Sequence, residues 1–283
     1  MKLSTLFRDV RAVSWPVIVL LVVASVVMAV IVNQVFFYYG TFSPIYAATS
    51  GLINATLCAS VVVMLVLLGG VMLLVGRLRP RDVGLRLSHV PAAGVFTLLV
   101  WLILQLVEVI AGLVSGSGIA LHPRWDSGAL PVIGSLIGQV FGNALEEEIR
   151  YRGFLLPQLY LKLNAAALRK RPLVRVTLAV LAMALVFMLL HIPNRIAMQM
   201  GFADLPQLFV QGVGFALIYL RTGNLLLAVG IHAIGNAPTM LVAETLGYEL
   251  PFVLLELAII VCWPWLARGY ARLFGRVPTP EPG

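Results

Sequence analysis

Residues 13–37 read VSWPVIVLLVVASVVMAVIVNQVFF, a run with no charged side chain. About 20 apolar residues cross a hydrocarbon core ~30 Å thick at a rise of ~1.5 Å per residue. The run is therefore long enough to span a bilayer. It follows Lys2, Arg8 and Arg11, as a signal peptide would. It is too long for a cleaved hydrophobic region, and is read as a retained signal anchor. Outward from it, similar runs recur. With the first taken as 14–36, they lie at 52–76, 92–115, 128–161, 174–192, 207–220, 224–243 and 251–267. The expected fold class is all-α, a polytopic transmembrane helix bundle of about eight helices.

Composition agrees. The chain of 283 residues is 60% hydrophobic and 11% charged, against about 25% charged in soluble domains. That leaves too little polar surface for a water-facing particle. The net charge of +8 does not point to nucleic acid, because the basic residues cluster between the apolar runs. Lys2, Arg8 and Arg11 precede the first run, and Arg77, Arg79, Arg81 and Arg86 follow the second. Lys162, Arg169, Lys170, Arg171 and Arg175 follow the fourth, Arg221 the sixth, and Arg268, Arg272 and Arg276 the eighth. The opposite loops hold only Arg124 and Arg195. With eight crossings every cluster falls on one side, which the positive-inside rule makes cytoplasmic. Both termini are then cytoplasmic, in a multi-pass protein of the cell (inner) membrane. Cys58 and Cys262 lie within apolar runs and form no CxxC, so neither a disulfide framework nor a thiolate metal site is indicated. Three regions are expected: 1–127, N-terminal helices and a basic connector; 128–245, a core interrupted by charged residues; and 246–283, a last helix with a Pro-rich tail at Thr279–Gly283.

Ionisable groups inside a membrane cost ~2.5–3.5 kcal/mol each on insertion scales and default to functional hypotheses. Glu146, Glu147, Glu148, Arg150 and Arg152 interrupt the fourth run, His191 ends the fifth, and His232 and Asn236 lie in the seventh. Glu148 and Arg152 are four residues apart and can pair on one helix face. Glu147 points about 100° away, towards the face of Asn143 and Tyr151. His232 and Asn236 share a face, as do Phe187 and His191. Measured from the flanking basic residues at 1.5 Å per residue, Glu147 and His191 lie roughly 22–24 Å deep and His232 and Asn236 roughly 16–23 Å. One carboxylate and one imidazole can hold and deprotonate a water. A second imidazole and an amide suit an oxyanion. Glu108 and Glu256 have no motif around them and read as structural or lipid-interface groups, while His89 and His122 fall in connectors and are expected to be solvated.

The run Glu147-Glu148-Ile149-Arg150-Tyr151-Arg152-Gly153 resembles the first motif, EExxxR then Gly, of the CPBP family of intramembrane glutamic endopeptidases, which includes CAAX prenyl proteases and Abi-type proteins. Only the register beginning at Glu147 puts an Arg in sixth place. Phe187 to His191 resembles the second motif, FxxxH, and His232 to Asn236 the third, HxxxN. The resemblance covers roughly residues 128–245. It implies that Glu147 and His191 activate water, that His232 and Asn236 form an oxyanion hole, and that Glu148, Arg152 and Phe187 support them. It implies no cofactor and no metal. Its partners would be a peptide or protein substrate, lipid-modified in part of the family, and the bilayer, with no nucleic acid. Arg150 stands where an apolar residue is usual. Competing readings are a zinc-dependent membrane hydrolase using Glu147, His191 and His232, a non-catalytic membrane partner or chaperone that keeps the polar core for structure, and a transporter.

Overall fold

A chain in hydrocarbon must satisfy its own backbone N–H and C=O groups, and the helix does so within one segment. The computed structural model describes residues 6–7, 10–164 and 168–274, and each of the eight apolar runs is helical there over most or part of its length. Lys2, Arg8, Arg276 and the tail Thr279–Gly283 lie outside the described residues. Among the described residues the only β pairing is an isolated antiparallel bridge between Leu121 and Val242.

The helices are α1 (Trp15–Ile31), α2 (Ser43–Ala48), α3 (Ala55–Met64), α4 (Val90–Ser115), α5 (Ala129–Gly138), α6 (Ala144–Glu148), α7 (Leu156–Lys162), α8 (Pro172–Leu189), α9 (Ile192–Ala197), α10 (Leu205–Thr222), α11 (Leu225–Asn236) and α12 (Glu249–Phe274). Wider turns of π type extend α1 over Val32–Phe37 and α3 over Leu65–Val75, and join α5, α6 and α7 through Gln139–Asn143 and Ile149–Leu155.

Five helical segments are long and apolar enough to cross a membrane: Trp15–Phe37, Ala55–Val75, Leu87–Ser115, Pro172–Ala197 and Glu249–Phe274. The other three runs differ for visible reasons. The α5–α7 segment carries the charged cluster at its middle, and α10 holds Gln207, Gln211 and Arg221. The run expected at 224–243 is helical only to Asn236, because Pro238 disfavours helical backbone at Ala237. The following residues, 237–248, form an irregular strap that leads into α12.

The bundle exposes apolar side chains and buries its charged cluster within a largely apolar core. Val23, Leu106 and Val261 are more than half exposed, whereas Glu108, Glu148, Arg152 and His232 are buried. Small residues allow close helix contacts, as expected where dispersion rather than the hydrophobic effect drives helix association. Gly212 of α10 faces Ala184 and Phe187 of α8, and Gly230 of α11 faces Thr97 of α4. The joint between α10 and α11 is built by Gly223, with φ of +68°, and Asn224, whose side chain accepts from Leu227 N at 3.1 Å and donates to His89 O at 3.0 Å. His89, expected in solvent, is thus buried at 3% exposure, because the joint folds over its backbone.

Gly153, the glycine that follows the EExxxR pattern, has the same kind of cause. A methyl there would collide with the carbonyl oxygen of Val83, which cannot rotate away as a side chain would. Gly153→Ala should therefore lower stability by about 1–3 kcal/mol, read as a lower melting temperature of the purified protein in a bilayer mimic. An unchanged melting temperature would contradict this packing.

Candidate active site

The three glutamates sit in one regular turn, α6, with a wide turn on either side. Wide turns in helices recur at functional sites because they re-aim side chains without breaking the backbone ladder. Within α6 the ordinary step of about 100° per residue sends three consecutive carboxylates in three directions.

Glu148 points into the protein. Its Oε1 accepts from Arg152 Nη1 at 2.9 Å and from His232 Nδ1 at 2.8 Å. Glu148 and Arg152 are both 0% exposed. Arg152 Nη2 also donates to Gly212 O at 2.9 Å. The guanidinium lies 4.9 Å from the Phe187 ring and 5.3 Å from that of Phe215, and Phe215 stacks on His232 with centroids 4.4 Å apart. The ion pair expected from spacing is present, and it also fixes the imidazole of His232. A carboxylate oxygen paired with Arg only accepts, so Nδ1 of His232 carries the proton.

Glu147 points towards the other side of α6. Its Oε1 is 4.0 Å from His191 Nε2 and its Oε2 is 3.6 Å from His232 Nε2. His191 lies just beyond the end of α8, and its Nδ1 is 2.8 Å from Phe187 O. A carbonyl only accepts, so Nδ1 donates and the neutral ring turns an unprotonated Nε2 towards Glu147. Phe187 packs on His191 at 4.6 Å and against Tyr151 at 4.9 Å. Glu146 is bound to Arg150 at 2.9 Å, and Arg150 Nη2 is 3.9 Å from Glu147 Oε1. The extra cation is thus largely compensated by the extra carboxylate. Glu147, His191, Asn143 and Asn194 line a cavity of about 180 Å³, closed on its other side by Asn33 and Ser60 from the first two apolar runs.

Asn236 is placed differently. It is exposed at the end of α11, and its Nδ2 donates to Gln139 Oε1 at 3.1 Å. Asn143 Nδ2 approaches the same oxygen at 3.4 Å. Gln139, Phe215 and Gly212 were not singled out from sequence. Gln139 does stand eight residues before Glu147, with Asn143 midway, and that spacing is a legible sign of one polar stripe. Phe215 and Gly212 carry no such sign, because their roles arise only from the packing of α10 on α8 and α11. Glu108, with no sequence motif, is a buried acceptor for Thr245 N at 2.7 Å and Leu246 N at 3.0 Å. Glu256 sits on the α10 side of α12, near Gly214. Among the described residues, no group of three His, Cys, Asp or Glu side chains is arranged to hold a metal ion.

Removing one member of a buried ion pair strands the other in low dielectric, at about 3–5 kcal/mol. Arg152→Met should therefore destabilise the protein by about that much, measured by thermal or denaturant unfolding. A change below about 1 kcal/mol would mean that Glu148 does not depend on Arg152 for its charge.

Residues 129–238 match the family model described as type II CAAX prenyl endopeptidase Rce1-like. No curated protein and no solved structure matches the chain. The matched segment contains α5 to α11 and with them all three motifs. Over residues 129–238, this multi-pass membrane protein is similar to the Rce1-like CAAX prenyl endopeptidase family.

Proposed function

We propose that the chain is an intramembrane endopeptidase in which Glu147 and His191 hold and deprotonate a water, while His232 and Asn236 stabilise the oxyanion that forms on the scissile carbonyl. The observation that carries this reading is the placement of one buried carboxylate between two imidazole Nε2 atoms, at 4.0 and 3.6 Å, on a polar cavity.

The chemistry follows from the hydrogen-bond partners. A gap of 4.0 Å between Glu147 Oε1 and His191 Nε2 suits a water about 2.8 Å from each. The water donates one O–H to each atom, and Glu147 takes a proton as the water oxygen attacks the carbonyl carbon. The tetrahedral oxyanion then needs donors. Nδ1–H of His232 is held by Glu148, so Nε2 donates only from the imidazolium, whose charge Glu147 and Glu148 balance from either side. Asn236 gives one amide N–H to Gln139 and keeps a second for the oxyanion. The C–N bond breaks as Glu147 passes its proton to the leaving nitrogen, giving a carboxylic acid and an amine.

The family description supports a prenylated CAAX peptide as the probe, with the unprenylated peptide beside it. The wild-type protein in nanodiscs should cleave the probe in the presence of a chelator. Glu147→Gln and His191→Ala should each reduce the rate by about 10²–10⁴ while helix content stays the same. Asn236→Ala should reduce kcat by about 10²–10³. Normal cleavage by both Glu147→Gln and His191→Ala would overturn the assigned mechanism, and normal cellular function in both variants would favour a non-catalytic partner.

The same proposal carries the topology: eight crossings in the inner membrane, both termini cytoplasmic, and a core over 128–245 flanked by 1–127 and 246–283. A fluorescent protein fused to either terminus should fluoresce, and alkaline phosphatase fused there should be inactive. Phosphatase activity at either end would reject this orientation.

A further inference from the structure

The strap 237–248 leaves α11 at Asn236, so the path of the strap sets where the last turn of that helix ends. Its backbone is held by one face of α4. Trp101, Gln105 and Glu108 recur at helical spacing, and each reaches the strap. Trp101 Nε1 donates to Thr239 O at 3.3 Å, and Gln105 Oε1 accepts from Leu241 N at 2.8 Å. Glu108 Oε2 accepts from both Thr245 N and Leu246 N, at 2.7 and 3.0 Å. The other side of the strap is tied to the 117–127 connector. Trp125 Nε1 donates to Met240 O at 2.8 Å, His122 N to Leu241 O at 2.9 Å, and Ala243 N to Ala120 O at 2.9 Å.

Two further observations make this more than loop packing. Thr239, three residues after Asn236, has φ of +45°. That conformation is costly for a β-branched residue and persists only where the surroundings impose it. Glu108 is 2% exposed, within a helix that can span the membrane. A buried carboxylate there is costly, and its Oε2 accepts from two strap N–H groups.

We propose that Glu108, with Gln105 and Trp101, is a positioning residue of the site: it fixes the strap, and through it the turn of α11 that presents Asn236 to Gln139. The catalytic part of this inference rests on the role proposed above for Asn236; the mechanical part does not. Loosening the strap frees Thr239 to relax, and the Ala237 N to Ala233 O bond of 2.9 Å that closes α11 is the next to open. A misplaced amide at this site is expected to lower turnover by up to about 10²-fold.

Hydrogen exchange and kinetics on the full-length protein in nanodiscs test both parts, using the prenylated CAAX peptide as the kinetic probe. Glu108→Ala should speed exchange at Thr245 and Leu246 and also at Ala237. It should lower kcat with KM held within about twofold. Glu108→Gln keeps a carbonyl acceptor and should restore both readouts. In an Asn236→Ala background, Glu108→Ala should cost little more, since both act through one group. Gln105→Leu, which removes the bond to Leu241 N, should show the same pattern more weakly and serves if Glu108→Ala does not fold. Faster exchange in the strap without any change at Ala237 would overturn the mechanical link. An equal loss of kcat with and without Asn236 would overturn the action through that amide. Cleavage at the wild-type rate by Glu147→Gln would instead overturn the role proposed for Glu147, and the exchange data would still judge the anchor.

Discussion

Burying an arginine in a membrane protein is tolerable only if its charge and its donors are met on the spot. For Arg152, Glu148 balances the charge, Glu148 and Gly212 O accept from Nη1 and Nη2, and the rings of Phe187 and Phe215 flank the guanidinium, while Nε has no partner among the described residues. The same carboxylate oxygen that balances Arg152 receives Nδ1–H of His232. Three helical segments are thereby locked together at one point: α6 with its following turn, α10 and α11. An interaction that removes a desolvation penalty also sets the tautomer and ring plane of an imidazole. Shifting α11 relative to α6 would break the bond from His232 Nδ1 to this buried carboxylate oxygen.

That lock explains the division of labour among three adjacent carboxylates. Glu148 is consumed by Arg152 and His232, and Glu146 by Arg150. Glu147 lies near both Nε2 atoms and near Arg150, but none of these contacts is as short as those of its neighbours. A carboxylate near two imidazole nitrogens and a guanidinium, with no short bond to any of them, can still accept a proton from a water. The step of about 100° per residue in the regular turn α6 separates the three fates.

The functional groups gather where regular helix stops. His191 follows the end of α8, Asn236 closes α11 ahead of Pro238, and Glu147 sits between two wide turns. Such places release side chains and backbone groups from the helical ladder. In a bilayer those freed groups must be satisfied by the protein itself. The α4 stripe that receives the strap, and Asn33 and Ser60 on the far wall of the cavity, both come from outside the 129–238 segment. The first 127 residues therefore contribute walls and anchors as well as membrane crossings.

Membrane residence, helical class and the pairing of Glu148 with Arg152 were legible in the sequence, because they follow from local quantities: run length, charge count and the spacing of residues on one helix. The gathering of Glu147, His191 and His232 was suggested by motif order and similar depth along separate runs, but spacing within a helix cannot say how one helix faces another. The burial of His89 and the use of Glu108 as an anchor were decided by contacts between segments more than a hundred residues apart. The turning of the Asn236 amide to Gln139 was likewise decided between segments, across 97 residues. A side chain's neighbours along its own helix are fixed by helical geometry. Its neighbours on other helices depend on how small residues such as Gly153, Gly212 and Gly230 let whole segments approach, and only the assembled bundle settles that.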